Sequence, residues 1–474
     1  MMEQVERDAD IQFAEELDGQ VSSELEIAVA AHQSGSKVYQ SLQNLNEVIG
    51  TEYGDRVLYE LIQNAHDAHR SGGDGQIAIH LVVHSDSEGV LYIANGGDGF
   101  RSKDVEAIRN LAISAKEVGE GIGNKGLGFR SIEAITNDVR IFSRRGPGTS
   151  DRFDGYCFRF AEAGEIEGIL QAKGYDAITS EAVARTIPRY LIPRPVMSQP
   201  EEIARYARRG YATVIAAPLR TEEAVALVSS QVEALASSDT PLMLFLDRIS
   251  EIRIDVERPG QEANQRRLYR QQSELGGVLS LPRTRMFQVD VGEGQSFLVV
   301  RRVVEKERVL DAVRGSLQAV PQLKRWLNWE GEPVVSVAVG LSQAALAKGC
   351  LYNFLPMGEK APSPMIGYLD APFFADIDRR SANLGLPLNS MLMTAAAETC
   401  VAAALALSGS DIPMPEHVVF DLIAWTGNEA GKIKDAFKEV GSSLVDARVI
   451  PATADRGMRA WSSLAEIKIW PNGS

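Results

Sequence analysis

The stretch LYELIQNAHDAH, residues 58–69, decides how this chain is read. Leu58, Leu61, Ile62, Ala65 and Ala68 recur at helical spacing and can pack. At 100° per residue, Glu60, Asn64 and Asp67 fall within about 60° of one another. One helix therefore carries two carboxylates and an amide on a single strip. Taken alone, the plainer account is the solvated face of an amphipathic helix.

The surroundings change that account. Downstream, QIAIHLVVH (76–84) and VLYIAN (90–95) read as paired strands around the turn SDSEG. GGDGF (96–100) breaks the second strand, and Ser102 can cap a helix through DVEAIRNLAIS. A glycine-dense segment follows, GEGIGNKGLGFRS (119–131), then a helical stretch over 131–137. Strands are expected at 138–145, 156–162 and 213–219, a helix at 222–236, and mainly strand at 242–256. Residues 163–210 are mixed, and residues 1 to about 35 form an acidic helix.

A polar helical strip and two glycine turns are the parts that hold a nucleotide. Glycines reach φ > 0 and let backbone N–H groups close on phosphate. A helix starting near Arg130 would point its N-terminus at the same anion. Asn64 can offer its amide oxygen to magnesium, and Glu60 can orient and deprotonate an attacking water.

ELIQNAHDA, LYIANGGDGF and GNKGLGFRS resemble the three sequence boxes of the GHKL ATPases, the superfamily of DNA gyrase, the ninety-kilodalton heat-shock chaperones, histidine kinases and MutL. The resemblance implies an α+β fold, a Bergerat-type two-layer α/β sandwich with helices over one face of a mixed, mostly antiparallel sheet. It implies ATP and Mg2+, with Glu60 as catalytic base, Asn64 as magnesium ligand and Asp67 near the adenine through water. The second box departs from the family. Asn95 stands where an aspartate usually accepts from the adenine amino group, with Gly97, Gly99 and Phe100 following. Asn95 can still accept through its oxygen, without charge assistance. The third box supplies Gly123, Asn124, Lys125, Gly126, Leu127, Gly128 and Phe129 as lid and phosphate loop, and Thr213 is expected near the base. YGDRVLYELIQNAHDAH, IGNKGLGFRS and YNFLPMGEKAPSPMIGYLDAPFFADIDRRS are more narrowly similar to the sacsin and NO VEIN branch, chaperone-like ATPase modules whose bacterial relatives include antiviral defence proteins.

ERPGQEAN (257–264) and SGSDIPMP (408–415) read as boundaries. They give an expected ATP-binding domain over 1–256, a transducer-like α/β domain over 257–408 and a C-terminal segment over 409–474, read as the start of a further domain. The second domain shows strands at 268–280, 286–292, 296–304 and 333–339, a helix with KERVLDAV, and a long apolar helix at 386–407. The resemblance implies a transducer cation for the γ-phosphate, with Lys360, Arg379 and Arg380 as candidates. Each is weighed against an ordinary surface charge.

The formal net charge of −15 disfavours a nonspecific grip on nucleic acid and leaves only a local basic patch such as RYARR (205–209). Three scattered cysteines suit a reducing compartment, the N-terminus lacks a secretory pattern, and the run at 400–407 is too short for a bilayer. A cytoplasmic protein is expected. His66, His69, His80 and His84 read as satisfied or solvated rather than metal-binding, and Asp370, Asp376 and Asp378 lack the companions of a nuclease site. The tryptophans are expected in a core or interface. The expected function is an ATP-hydrolysing conformational switch, dimerising with ATP or engaging a partner protein. The rivals are a nucleotide-gated binding module with little turnover, a histidine or protein kinase, and a MutL-like DNA-handling protein.

Overall fold

The structure is a computed structural model. It describes residues 2–44, 54–69, 72–109, 128–146, 150–277, 279–342, 349–376, 379–453 and 459–467. They fall into two compact units. One is built from the described residues up to Asp239 together with Asp247–Leu268, the other from Thr240–Leu246 and the described residues from Tyr269 onward.

The first unit is α+β, with helices on an eight-stranded sheet of order β5-β4-β3-β6-β2-β1-β7-β8. Its central strands are β1 (Gly75–Ser85), β2 (Glu88–Asn95) and β6 (Thr213–Leu219), antiparallel in sequence of pairing, with β3 (Arg140–Ser143) antiparallel to β6. β4 (Phe158–Phe160) and β5 (Pro193–Pro195) extend one edge. β7 (Ile249–Glu257) pairs parallel with β1, and β8 (Asn264–Tyr269) lies beyond it. The sheet is therefore mixed and mostly antiparallel, as the resemblance implies. Long runs of Val, Ile and Leu make these strands, and their alternation sorts the two faces.

One face presents Ile77, Ile79, Leu91, Ile93, Ile141 and Ile215, all buried. It meets α2 (Val57–Asp67) and α7 (Glu222–Ser237). The buried positions of α7, Ala224, Val225, Val228, Gln231, Val232 and Leu235, recur at helical spacing, and Thr221 caps its start by accepting from Ala224 N at 3.2 Å. The opposite face is covered too. Ala78, Ala94, Phe142, Val214 and Ala216 pack against Ile203, Tyr206 and Ala207 of α6 (Glu201–Arg208). The arginines of RYARR hide this face, because Ile203, Tyr206 and Ala207 point inward between the charges.

The segment 163–210, read as mixed, holds three helices: α4 (Ala163–Ala172), α5 (Ala177–Thr186) and α6. Two more precede them, α1 (Met2–Gln33) and α3 (Ser102–Arg109). α1 buries Leu17, Val21, Leu25, Ala28 and Val29 along one stripe and packs against β5 and α5. Arg109 of α3 reaches α1 through Gln20 at 2.8 Å and Glu24 at 3.4 Å.

The second unit has a seven-stranded sheet of order β14-β13-β15-β12-β11-β10-β9, running from β9 (Gln271–Leu275) to β15 (Tyr368–Asp370) in chain order. Between those two come β10 (Thr284–Asp290), β11 (Ser296–Val303), β12 (Val334–Gly340), β13 (Leu351–Asn353) and β14 (Leu355–Pro356). The core lies between one sheet face and α9 (Pro387–Ser408), with α8 (Lys306–Ser316), α10 (Glu416–Ile423) and α11 (Ala430–Glu439) around it. α9 is long and apolar enough to cross a membrane, yet most of it is buried in this core. Trp326, Trp329 and Trp425 are core residues; Trp470 lies outside the described residues. The run at 242–246, expected as strand, forms turns, and Leu244 and Phe245 pack on the other face of this sheet.

Candidate functional site

α2, the helix of the polar strip, is held at both ends. At its start, Gln231 of α7 accepts from Leu58 N at 3.1 Å and donates to Gly54 O at 2.8 Å. At its end, Arg248 donates to His69 O at 3.1 Å, satisfying a carbonyl just past the helix. His69 Nδ1 donates to Ala65 O at 2.7 Å, and Nε2 accepts from Gln76 N at 3.3 Å. That pair of roles requires the neutral ring, and burial pushes the His69 pKa below its ordinary value.

The polar strip is not a solvated face. Glu60 is 2% exposed, the Asp67 side chain is 1% exposed, and Asn64 is half-buried. The plainer account of these residues therefore fails at Glu60. His66, on the same helix, lies 3.5 Å from Asp67 Oδ1 and 3.3 Å from Asp247 Oδ1. Burial works against its charge, but the two carboxylates outweigh burial and hold its pKa above the ordinary value. His80 contacts Tyr206 at 2.9 Å and Glu257 at 3.0 Å on the far face, and His84 is exposed.

The glycine turn after β2 meets the end of α2. A Cβ on Gly97 would lie 2.3 Å from Ala68 O, and one on Gly99 would lie 2.1 Å from Arg144 O. Neither glycine has positive φ, so this box needs glycine for space rather than for an unusual backbone. Asp98 N donates to Ala68 O at 2.7 Å, which ties the turn to the helix.

Beneath the turn runs a polar row. Asn95 pairs with Thr213 across β2 and β6, and Thr213 with Ser143 across β6 and β3. The three alternate with Ile93, Ile215 and Ile141, so they share the face that meets α2 and α7. All are buried, and Ser143 Oγ lies 3.3 Å from Thr213 Oγ1 and accepts from Phe100 N at 2.7 Å. Asn95 is 7% exposed, and its Nδ2 has no hydrogen-bond partner. Nine other side chains among the described residues hold such an atom; Asn95 stands out by closing a central strand beside two buried hydroxyls and the end of α2. Ser143 was not foreseen, although a serine alternating with Ile141 on an apolar strand face was there to be noticed.

Gly123, Asn124, Lys125, Gly126 and Leu127 lie outside the described residues. Gly128 opens a 3-10 helix, Gly128–Ala134, that packs on α2, and Phe129 is half-buried. The expected helix is thus tighter and shorter than an α-helix. Arg130 turns into the protein, its guanidinium 3.1 Å from the Tyr190 ring centroid and donating to Ile108 O; burial lowers its pKa to about 10.

The transducer candidates belong to the second unit. Lys360 is exposed and Arg380 half-buried. Arg379 is buried with φ 53° in a turn where its N donates to Asp376 O at 3.0 Å, a backbone strained for a non-glycine residue. Asp370 is occupied in accepting from Phe354 N at 2.7 Å, Asp376 is exposed, and Asp378 lies outside the described residues.

The residues present fit a nucleotide at the base end. A buried amide with an unpartnered Nδ2 precedes the turn that meets the end of a helix carrying an enclosed carboxylate. Among the described residues no group of three His, Cys, Asp or Glu side chains could hold a metal alone. Magnesium that shares phosphate oxygens needs few protein ligands, and the Asn64 amide oxygen suits that role. A separate open groove of about 320 Å³ lies between α1 and β5, lined by Phe13, Leu17, Cys157, Val196, Met197 and Gln199 among others, and holds none of the expected site residues.

No family model matches the chain, and no curated protein matches it. Solved structures do. The N-terminal domain of a DNA repair protein is similar over 72% of this chain and 91% of its own, at 11% identity and a TM-score of 0.29. The B-subunit of DNA gyrase from Myxococcus xanthus is similar over 71% of this chain and 86% of its own, at 11% identity and a TM-score of 0.27. At such TM-scores neither likeness assigns a role to any residue.

Proposed function

We propose that this chain is a GHKL-type ATPase that binds ATP between α2 and the polar row and hydrolyses it to drive a change of conformation. The observation that carries this reading is the enclosure of Glu60 on the same helix whose end abuts the turn after the unpartnered Asn95. In it Glu60 takes a proton from the attacking water, Asn64 offers an amide oxygen to the metal, and Asn95, Asp67 and Thr213 receive the base. Magnesium, when bound, neutralises phosphate charge. The glycine loop 123–128 and Phe129 cover the phosphates. The finer parts of the reading rest on the sequence resemblance. They are chaperone-like work of the sacsin and NO VEIN kind or a place in antiviral defence, a cytoplasmic setting, ATP-dependent dimerisation, and domains over 1–256, 257–408 and 409–474. The acidic chain gives DNA no broad grip, which sets the MutL-like alternative second.

Single-turnover hydrolysis tests it. Glu60→Ala should slow the chemical step by about 10²–10⁴-fold, the usual contribution of a general base, while magnesium-ATP still binds in calorimetry. Equal rates in the two proteins would leave a binding module without turnover. Alanine substitution of Lys360, Arg379 and Arg380 in turn, read by the same assay, tests the roles assigned to those cations.

A further inference from the structure

The Asn95 side chain also bears on which base enters. An aspartate offers only acceptors at such a position, whereas an amide offers one donor and one acceptor on the same end. Here the amide is 7% exposed, its Nδ2 is unpartnered, and among the described residues no hydrogen bond fixes which way it faces. Its cross-strand neighbour Thr213 bears a hydroxyl that can donate or accept, and Ser143 Oγ, 3.3 Å away, can take either part in that pair. Ser143 also lies 3.3 Å from Arg144 O, to which it can donate, leaving the Thr213 hydrogen free to turn. Nothing in the row carries a charge, and neither the Asn95 amide nor the Thr213 hydroxyl is fixed in its hydrogen-bond sense.

We infer that the row Asn95–Thr213–Ser143 forms a purine site that accepts 6-amino and 6-oxo bases alike; this rests on the nucleotide reading above. With a 6-aminopurine, the amide oxygen accepts from the amino group and Nδ2 donates to ring N1. With a 6-oxopurine, the amide turns by 180°, so that Nδ2 donates to the 6-oxygen and the oxygen accepts from N1–H. Each base makes two uncharged hydrogen bonds, so neither gains over the other. A carboxylate here would favour the amino form through a charged acceptor and repel the 6-oxygen.

Calorimetry on the full chain with magnesium, comparing ATP with inosine triphosphate, reads the preference directly. Inosine differs from adenosine at the six position and in the N1 proton, and adds no group elsewhere. The wild-type protein should bind the two within about tenfold, and Asn95→Asp should raise the preference for ATP by about tenfold or more. ATP binding with inosine triphosphate weaker by about 100-fold or more in the wild type would overturn the inference and leave the nucleotide reading standing. Binding of neither nucleotide would overturn both. Because the wild-type ratio decides, the test does not depend on the folding of any variant.

Discussion

Two buried asparagines, one in each unit, differ in how fully their amides are bonded. Asn389, near the start of α9 in the second unit, is fully buried and its amide is saturated. It accepts from Phe374 N at 2.8 Å and donates to Phe374 O and Asn383 O, both at 2.9 Å. Those bonds fasten to the core helix the loop that carries Arg379. Asn95, at the end of β2 in the first unit, is almost as deeply buried but leaves Nδ2 without a partner. A buried donor left alone costs about 1–3 kcal/mol. On the function proposed above, the saturated amide serves the architecture and the unsaturated one, beside two hydroxyls, serves the base.

The same substitution at both positions can break this contrast. Asn389→Leu removes the amide's three hydrogen bonds to Phe374 N, Phe374 O and Asn383 O, the last of which still accepts from Leu386 N at 3.1 Å. The second unit should lose about 2–4 kcal/mol, read as earlier unfolding in urea and faster amide exchange in the loop after Phe374. Asn95→Leu removes a group that was already unpaired. The first unit should stay within about 1 kcal/mol of wild type, or gain slightly, while nucleotide affinity falls. If Asn95→Leu destabilised its unit as much as Asn389→Leu destabilises the other, Asn95 would be scaffold and the contrast would collapse.

Much of the architecture could be read from the chain because long elements carry strong periodicity. α2, β1, β2, β6, α7 and α9 all stand where the apolar spacing puts them. The elements that escaped are short or carry conflicting signals. α4 contains Gly164 and Gly168, and its start uses Glu162 and Glu165 in a reciprocal cap where serine or threonine is the usual sign. α5 did offer a sign, since Asp176 accepts from Thr179 N at 2.9 Å, but the prolines that follow drew the segment toward loop. The apolar run at 242–246 has no period at all and cannot be told from strand by pattern. At the site, residue identities in the boxes were visible, whereas their reasons were not. That Gly97 and Gly99 answer to Ala68 O and Arg144 O depends on contacts between distant segments, which no local pattern records.

The smallest expected effect separates two histidines on one helix. His66 has its pKa raised: burial opposes the charge, but Asp247 and Asp67 together outweigh it. Its contribution to stability is therefore fully present below the unfolded value of about 6.5 and is lost as pH rises through the folded value. His69 has its pKa lowered, chiefly by burial, and its contribution runs the other way. Above about pH 6.5 it costs nothing, and as pH falls the unfolded chain takes up a proton that the folded ring refuses, because Nε2 is committed to Gln76 N. Melting curves of wild type, His66→Gln and His69→Gln from about pH 5 to about pH 9 should show this. The advantage of wild type over His66→Gln should shrink toward alkaline pH, and its advantage over His69→Gln should shrink toward acid. Parallel difference curves would mean that Asp67 and Asp247 do not hold the charge on His66. Asp67 would then be freer to turn toward a ligand than its place beside His66 implies.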